Sequence, residues 1–111
     1  MADSYIEITS ENFAEKVLEA SQLVVVNFSS ELSNACQIQE PELEAVSKEY
    51  QGRITFARVN VENQEELTQQ WKVEGIPTLI FFKGGNAIHR INGIMMRAKL
   101  RRQIEGVLLA N

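Results

Sequence analysis

The sequence is poor in the residues that build disulfides and metal sites. Its 111 residues contain one cysteine, Cys36, and one histidine, His89. A lone cysteine cannot form an internal disulfide, and these two residues cannot supply the four ligands of a structural zinc site. We therefore expect a protein that holds no metal ion, and no motif in the chain indicates a cofactor.

Long hydrophobic runs are also missing. Apolar runs such as residues 23–26 are much too short to span a bilayer, and the first four residues are acidic rather than basic. The formal net charge of −4 gives no general attraction for nucleic acid, although six basic residues and one acidic residue lie from Lys83 onward. That basic segment is typical of a solvated helix face, the alternative being a docking surface for an acidic partner. We expect a monomeric, cytoplasmic protein that binds neither nucleic acid nor a membrane.

The overall composition predicts one compact domain. Hydrophobic residues make up 44% and charged residues 23% of the chain, which matches ordinary globular proteins rather than disordered or fibrous ones. No repeat, low-complexity tract or Pro/Gly-rich linker divides the sequence. We therefore treat residues 1–111 as a single domain.

The first thirty residues read as a strand, a helix and a second strand. Residues 5–8 alternate like a short strand, and Thr9 or Ser10 can cap a helix that follows. Residues 23–28 are apolar in succession, which indicates a central strand buried on both faces by helices. The apolar face of the intervening helix is expected to consist of Phe13, Val17 and Leu18.

The longest predicted helix covers residues 33–50 and carries the cysteine. Ser33 or Asn34 can cap it, because both side chains accept hydrogen bonds from backbone N–H groups. Pro41 removes one backbone hydrogen bond and is expected to kink the helix without ending it. The apolar positions that recur at helical spacing are Ile38, Leu43, Val46 and Tyr50.

The second half adds strands and two helices. Residues 54–61 read as a buried strand, and Asn63 with Glu66 resembles a capping box for a short helix that ends near Trp71. Strands at 78–82 and 87–91 are expected to run antiparallel, because two glycines between them allow a tight hairpin turn. The last helix is predicted from about Met96, with an apolar stripe of Leu100, Ile104, Val107 and Leu108.

This order, βαβαβαββα, resembles the thioredoxin family. Specific segments agree: residues 24–28, Cys36 with Pro41 five residues later, the Gly-Ile-Pro-Thr sequence at 75–78, and Gly93. The similarity covers nearly the whole chain. It implies an α/β thioredoxin fold, with a central mixed sheet flanked by helices.

The resemblance also implies a groove that binds client proteins. In the family, the proline that corresponds to Pro77 is cis, and the backbone of the residue before it, here Ile76, is free to pair with an extended segment of a client. The loop that contains Gly93, Ile94 and Met95 corresponds to another wall of this groove. The alternatives are that Pro77 only ends a loop before a strand, and that the loop's apolar side chains pack against the last helix.

The chain departs from the family at the redox motif. Thioredoxins open this helix with Cys-Gly-Pro-Cys, usually after a tryptophan, whereas here Leu32 precedes Ser-Asn-Ala-Cys at 33–36. The missing first cysteine is the exposed nucleophile that attacks a disulfide, and the second cysteine resolves the mixed disulfide. Ser33 cannot replace it, because a hydroxyl is far less acidic than a thiol and no histidine base lies nearby in the sequence. Helix capping accounts for Ser33 fully.

Neighbouring positions differ as well. The family's buried aspartate, thought to help deprotonate the resolving cysteine, corresponds to Asn27, and Gln37 stands where the family commonly has lysine. Glu40, one turn beyond Cys36, is expected to repel a thiolate, whereas the helix N-terminus is expected to attract one. The balance of these two effects is left open. An engineered Ser33 would be the only change, so the accompanying differences at Asn27, Ser29 and Leu32 favour a natural serine.

Two functions follow for Cys36. As an accessible thiol, it supports a protein of thiol redox homeostasis with an incomplete active site. That protein would perform at most monothiol thiol–disulfide exchange with protein clients, with an external thiol donor and without an autonomous dithiol reductase cycle. As a buried, inert residue, Cys36 leaves a redox-inactive protein-binding or chaperone-like module that uses the cis-proline groove.

Overall fold

A computed structural model describes residues 5–111. It contains five strands, three α-helices and one π-helical segment. The strands are β1 (Tyr5–Ile8), β2 (Leu23–Ser29), β3 (Ile54–Asn60), β4 (Thr78–Lys83) and β5 (Asn86–Asn92). The helices are α1 (Asn34–Glu49), α2 (Glu65–Gln70) and α3 (Arg97–Ala110), and the π-helical segment is Ala14–Leu18.

The strands form one mixed sheet in the order β1-β3-β2-β4-β5. Strands β1, β3 and β2 run parallel, whereas β4 pairs with both β2 and β5 in antiparallel fashion. Strand β2 is therefore central, and β1 and β5 form the two edges. The predicted α/β architecture with a central mixed sheet is confirmed.

Two hydrophobic clusters cover the two faces of the sheet. One cluster joins the sheet to α1 and α3, and the other joins it to α2 and the π-helical segment. Alternate residues of β2 enter different clusters, as Val25 and Val26 show, because successive side chains of a strand point to opposite faces. The prediction that this strand is buried on both faces is confirmed. Within residues 5–111, every helix is too short or too polar to span a bilayer.

Helix α1 agrees with its predicted bounds but not with its predicted apolar face. Pro41 lies inside the helix without ending it. Ile38, expected in the core, is 51% exposed, and Gln39 is buried in its place. Gln39 lies four residues before Leu43 and seven before Val46, so it completes the buried stripe at true helical spacing.

The first helix begins later than predicted. Thr9 and Ser10 do not cap it: the Thr9 hydroxyl accepts a hydrogen bond from the Glu11 N–H at 3.2 Å, which closes a local turn. The Thr9 N–H in turn donates to Asn12 Oδ1 at 2.8 Å. This turn occupies residues 9–12, and the helical segment starts only at Ala14.

The capping box predicted for α2 is also wrong. The N-cap residue is Gln64, and no side chain caps the helix. The Gln64 side chain instead accepts a hydrogen bond from the Ser10 N–H at 3.0 Å, in a distant part of the chain. The helix ends at Gln70 with Trp71 as its C-cap, as the sequence predicts.

Candidate functional site

Ser33 is the N-cap of α1. Its extended backbone, with φ −92° and ψ 125°, places the hydroxyl over the first turn, where Ser33 Oγ accepts a hydrogen bond from the Cys36 N–H at 3.2 Å. The Ser33 carbonyl also accepts from the Gln37 N–H at 3.0 Å. Of the two predicted caps, the structure selects Ser33, and its hydroxyl has a complete structural role.

Cys36 lies in the first turn of α1 and points inward. It is the free cysteine of the chain, and its side chain is only 6% exposed. Cys36 is therefore buried rather than freely exposed. The thiol is not sealed in the core, however, because Cys36 forms part of the wall of a cavity.

That cavity has a volume of about 280 Å³ and lies where β2 meets the start of α1. Its walls come from three parts of the chain. They are residues 29–31 at the end of β2 and just beyond it, Cys36, Gln37 and Glu40 of α1, and Arg58 of β3. The only sulfur atom of its walls is the Cys36 thiol. We name this space the Cys36 cavity.

An ion pair stands in the wall of the Cys36 cavity. Arg58 Nη2 donates to Glu40 Oε2 at 2.7 Å, and the Arg58 guanidinium also lies 4.9 Å from the centre of the Tyr5 ring. Burial raises the pKa of Glu40, and the positive charge of Arg58 opposes that rise. The repulsion expected between Glu40 and a Cys36 thiolate is therefore offset, because Arg58 carries the opposite charge beside the same cavity.

Sequence reasoning missed Arg58. Its signal was the single charged residue in the strand sequence Ile-Thr-Phe-Ala-Arg-Val-Asn of β3. A charged side chain in a strand of this kind needs a partner, and Glu40 supplies it from eighteen residues earlier in the chain.

Asn27 occupies the interior beneath α1. It is 1% exposed, and its Oδ1 atom has no hydrogen-bond partner among residues 5–111. Its side chain shares a face of β2 with Val25 and Ser29, which is the face that α1 covers. A neutral amide at this position cannot accept a proton from a thiol.

The Ile76–Pro77 peptide bond is cis, as the resemblance implied. Pro77 is buried, Ile76 is half-buried, and the backbone of Ile76 makes no hydrogen bond within residues 5–111. The Pro77 carbonyl accepts a hydrogen bond from the Gly93 N–H at 2.8 Å, so the two loops predicted to form the groove are joined. Gly93 has a φ of 87°, a conformation that favours glycine.

The segment of residues 93–96 is fastened to α1 by Gln39. Gln39 Nε2 donates to the Met95 carbonyl at 3.0 Å, and the Met95 N–H donates to Gln39 Oε1 at 2.7 Å. Ile94 is 41% exposed and Met96 is 53% exposed. Met95, predicted as a groove residue, is half-buried, and its side chain packs against the hydrophobic cluster beneath α1 and α3.

The predicted site residues therefore fall into two joined groups. Ser33 and Cys36 share the first turn of α1, whereas Pro77 and Gly93 share a hydrogen bond. Gln39, which the sequence analysis did not single out, connects the groups, because it lies three residues after Cys36 and holds the segment that begins at Gly93. Within residues 5–111, no three His, Cys, Asp or Glu side chains are placed to hold a metal ion.

Comparisons with known proteins agree with this geometry. The family model described as Thioredoxin matches residues 4–106. A thioredoxin of Chlorobaculum thiosulfatiphilum is 26% identical over 104 residues, which cover 94% of this chain and 96% of that protein. Probable thioredoxin-2 of Caenorhabditis elegans is 35% identical over 100 residues, which cover 90% of this chain and 69% of that protein.

A third relative is much longer than this chain. The bifunctional thioredoxin reductase/thioredoxin of Mycobacterium leprae is 32% identical over 103 residues, which cover 93% of this chain but only 22% of that protein. The similarity therefore lies in one part of that relative. Because the family model spans nearly all of the sequence, and the Caenorhabditis elegans relative is 35% identical with 69% of its length covered, the chain belongs to the thioredoxin family.

Proposed function

We propose that this thioredoxin-family protein acts in thiol redox homeostasis through a single thiol, Cys36, and does not complete a dithiol cycle alone. The observation that carries the proposal is the position of Ser33. Its hydroxyl occupies the start of the redox motif as a helix cap, 3.2 Å from the Cys36 amide nitrogen. Family membership supports thiol redox chemistry in general, and this sequence offers one thiol for it.

One thiol allows half of a disulfide reduction. The Cys36 thiolate attacks one sulfur of a client disulfide, a new bond joins Cys36 to that sulfur, and the other client sulfur leaves as a thiolate that takes up a proton. The mixed disulfide then needs a second thiol from outside, such as a low-molecular-weight thiol, to release the client. The protein therefore exchanges disulfides but relies on a separate donor.

Restoring the missing thiol tests this proposal. Ser33→Cys places a second thiol three residues before Cys36, whereas Ser33→Ala serves as the matched control without a thiol. With dithiothreitol as reductant and insulin as the protein disulfide, we expect wild type and Ser33→Ala to stay near the uncatalysed rate. Ser33→Cys should exceed it and lose two hydrogens by intact mass on oxidation. Catalysis by wild type equal to that of Ser33→Cys would refute the proposal.

A second candidate is a binding module without redox chemistry. The observation that favours it is the apolar surface of Ile94 and Met96, held rigidly beside the unpaired backbone of Ile76, together with the burial of Cys36. An extended, apolar segment of an unfolded protein fits such a surface, because it can add backbone hydrogen bonds and bury side chains.

The two candidates separate in a binding assay with an unfolded, cysteine-free polypeptide followed by fluorescence anisotropy. If binding is the function, Cys36→Ala retains affinity and Ile94→Asp weakens it. Leu109→Asp is the matched control, because Leu109 is 87% exposed at the far end of α3. Equal affinity for Ile94→Asp and Leu109→Asp would exclude this surface.

A further inference from the structure

The hydroxyl of Ser29 is open to the Cys36 cavity and has no protein partner among the described residues. Ser29 is 7% exposed and forms part of the cavity wall. Ser30 differs, because its hydroxyl donates to Glu62 Oε2 at 2.8 Å and accepts from the Leu32 N–H at 3.1 Å. Polar groups of largely buried side chains normally hydrogen-bond to protein or to water, so the Ser29 hydroxyl is available to a polar molecule in the cavity.

The size of the cavity limits that occupant. Its volume of about 280 Å³ lies just below the range of roughly 300–1,000 Å³ that is typical of sites for drug-sized ligands. A molecule of a few heavy atoms fits inside it. This space gives a small molecule a path to the thiol of Cys36, which is otherwise only 6% exposed.

The charged side chains around the cavity indicate which charge a bound molecule should carry. Glu31 and Glu40 contribute carboxylates to its wall and Arg58 contributes one guanidinium, which is already paired with Glu40. Glu62 adds a further carboxylate behind Ser30. The surplus of negative charge favours a cationic molecule, since an ammonium group would meet the unpaired Glu31 carboxylate and could donate to the Ser29 hydroxyl.

We propose that the Cys36 cavity admits a small disulfide that carries ammonium groups, and that Cys36 exchanges with it. This inference rests on the proposed monothiol function and adds a low-molecular-weight disulfide to the disulfides with which Cys36 exchanges. The Cys36 sulfur forms a bond to one sulfur of the disulfide while the disulfide bond breaks. The other half leaves as an aminothiolate and takes up the proton that Cys36 gave up, so the products are a mixed disulfide and one aminothiol.

Three disulfides of equal chain length test the charge preference. Cystamine carries two ammonium groups, bis(2-hydroxyethyl) disulfide is neutral, and dithiodiglycolate carries two carboxylates. For each reagent, the rate at which the Cys36 adduct forms in folded protein is measured by intact mass. This rate is divided by the rate with urea-unfolded protein, because the ratio cancels the intrinsic reactivity of the reagent. We expect the ratio for cystamine to exceed that for the neutral reagent by up to about fivefold, and dithiodiglycolate to react most slowly.

Variants locate the preference. Glu31→Gln, at an exposed position, should lower the advantage of cystamine, and added salt should lower it in wild type, because screening weakens exposed charge pairs. Ser29→Leu should fill the cavity and slow all three reagents, whereas Ser29→Ala keeps the space open and should lower only the advantage of cystamine, because it removes an acceptor for the ammonium group. Cys36→Ala gives the background.

The outcomes distinguish failure of this inference from failure of the proposed monothiol function. Adducts that form in the folded protein without the charge order, or a charge order that Glu31→Gln leaves intact, would overturn the cavity proposal while the reactive thiol stands. Adducts that form only after unfolding would overturn both proposals.

Discussion

The Gln39 side chain, which joins α1 to residues 93–96, allows a quantitative test of how the site is held together. Gln39 is fully buried and makes two hydrogen bonds to the backbone of Met95, at 3.0 and 2.7 Å. Gln39→Leu keeps the volume and removes both bonds. Each bond contributes about 0.5–1.5 kcal/mol, and a polar group left buried without a partner costs about 1–3 kcal/mol. We expect the free energy of unfolding to fall by about 2–4 kcal/mol.

Gln39→Glu tests the same two hydrogen bonds through the pH dependence of stability. A protonated carboxyl can donate to the Met95 carbonyl and accept from the Met95 N–H, whereas a carboxylate can only accept. Burial raises the pKa of a carboxyl in the folded state above its unfolded value of about 4.3. The variant should therefore be close to wild type below about pH 4, and its stability relative to wild type should fall as the pH rises through the folded-state pKa.

The assay is urea unfolding, followed by far-UV circular dichroism and by the fluorescence of Trp71, the only tryptophan. Gln70→Leu is the control, because Gln70 is exposed on α2 and its side chain makes no hydrogen bond among residues 5–111, so its effect should stay within about 0.5 kcal/mol. A Gln39→Leu variant as stable as this control would refute the reasoning. So would a Gln39→Glu variant whose stability gap is the same between about pH 4 and pH 7.

Three further predictions concern a helix cap, two glycines and an ion pair. Ser33→Ala should cost about 1 kcal/mol in urea melts through loss of the cap, and Ser33→Asp, which keeps an acceptor, should cost less; equal costs would argue against capping. Gly93→Ala should destabilise by about 1–2 kcal/mol because of its φ of 87°. Gly106 lies inside α3, where an added methyl group meets no atom within 4 Å, so Gly106→Ala should stabilise by about 1 kcal/mol. Stability changes of the same sign for Gly93→Ala and Gly106→Ala would contradict this reasoning. Hydrogen bonds from Arg97 lower the pKa of Glu42, so the stability from this pair is complete above about pH 4.3 and is lost as the pH falls through the lower folded-state pKa. In acid titrations, the free energy of unfolding of Arg97→Gln should fall less steeply with decreasing pH than that of wild type. Equal slopes for the two proteins would count against a stabilising role of the pair.

The fold could be predicted because its signals are local. Strand β2 was predicted from an apolar run and β1 from alternation, and the hairpin turn between β4 and β5 falls on Gly84 and Gly85, both at positive φ as expected. The last helix shows the predicted stripe, with Leu100 and Ile104 fully buried. Spacing and turn residues in a short window were sufficient for these elements.

The site was predicted less completely because its contacts join distant parts of the chain. Gln39 reads as a surface residue, and only its pairing with Met95, 56 residues later, explains its burial. Arg58 and Glu40 are 18 residues apart and belong to different elements. A sequence pattern shows which residues share a helix face, but it does not show which polar partner meets them from another element, and that partner decides whether burial is stable.

The central place of β2 in the sheet has a consequence for synthesis on the ribosome. Its partner β3 begins 25 residues after β2 ends, whereas its other partner, β4, begins 49 residues after it and reaches the sheet only late. While residues 78–83 are still inside the exit tunnel, one edge of β2 lacks its hydrogen-bonding neighbour, and the apolar side chains of Val24, Val25 and Val26 lack part of their cover. The nascent chain is thus most open to wrong strand pairing in the interval between the emergence of β3 and that of β4.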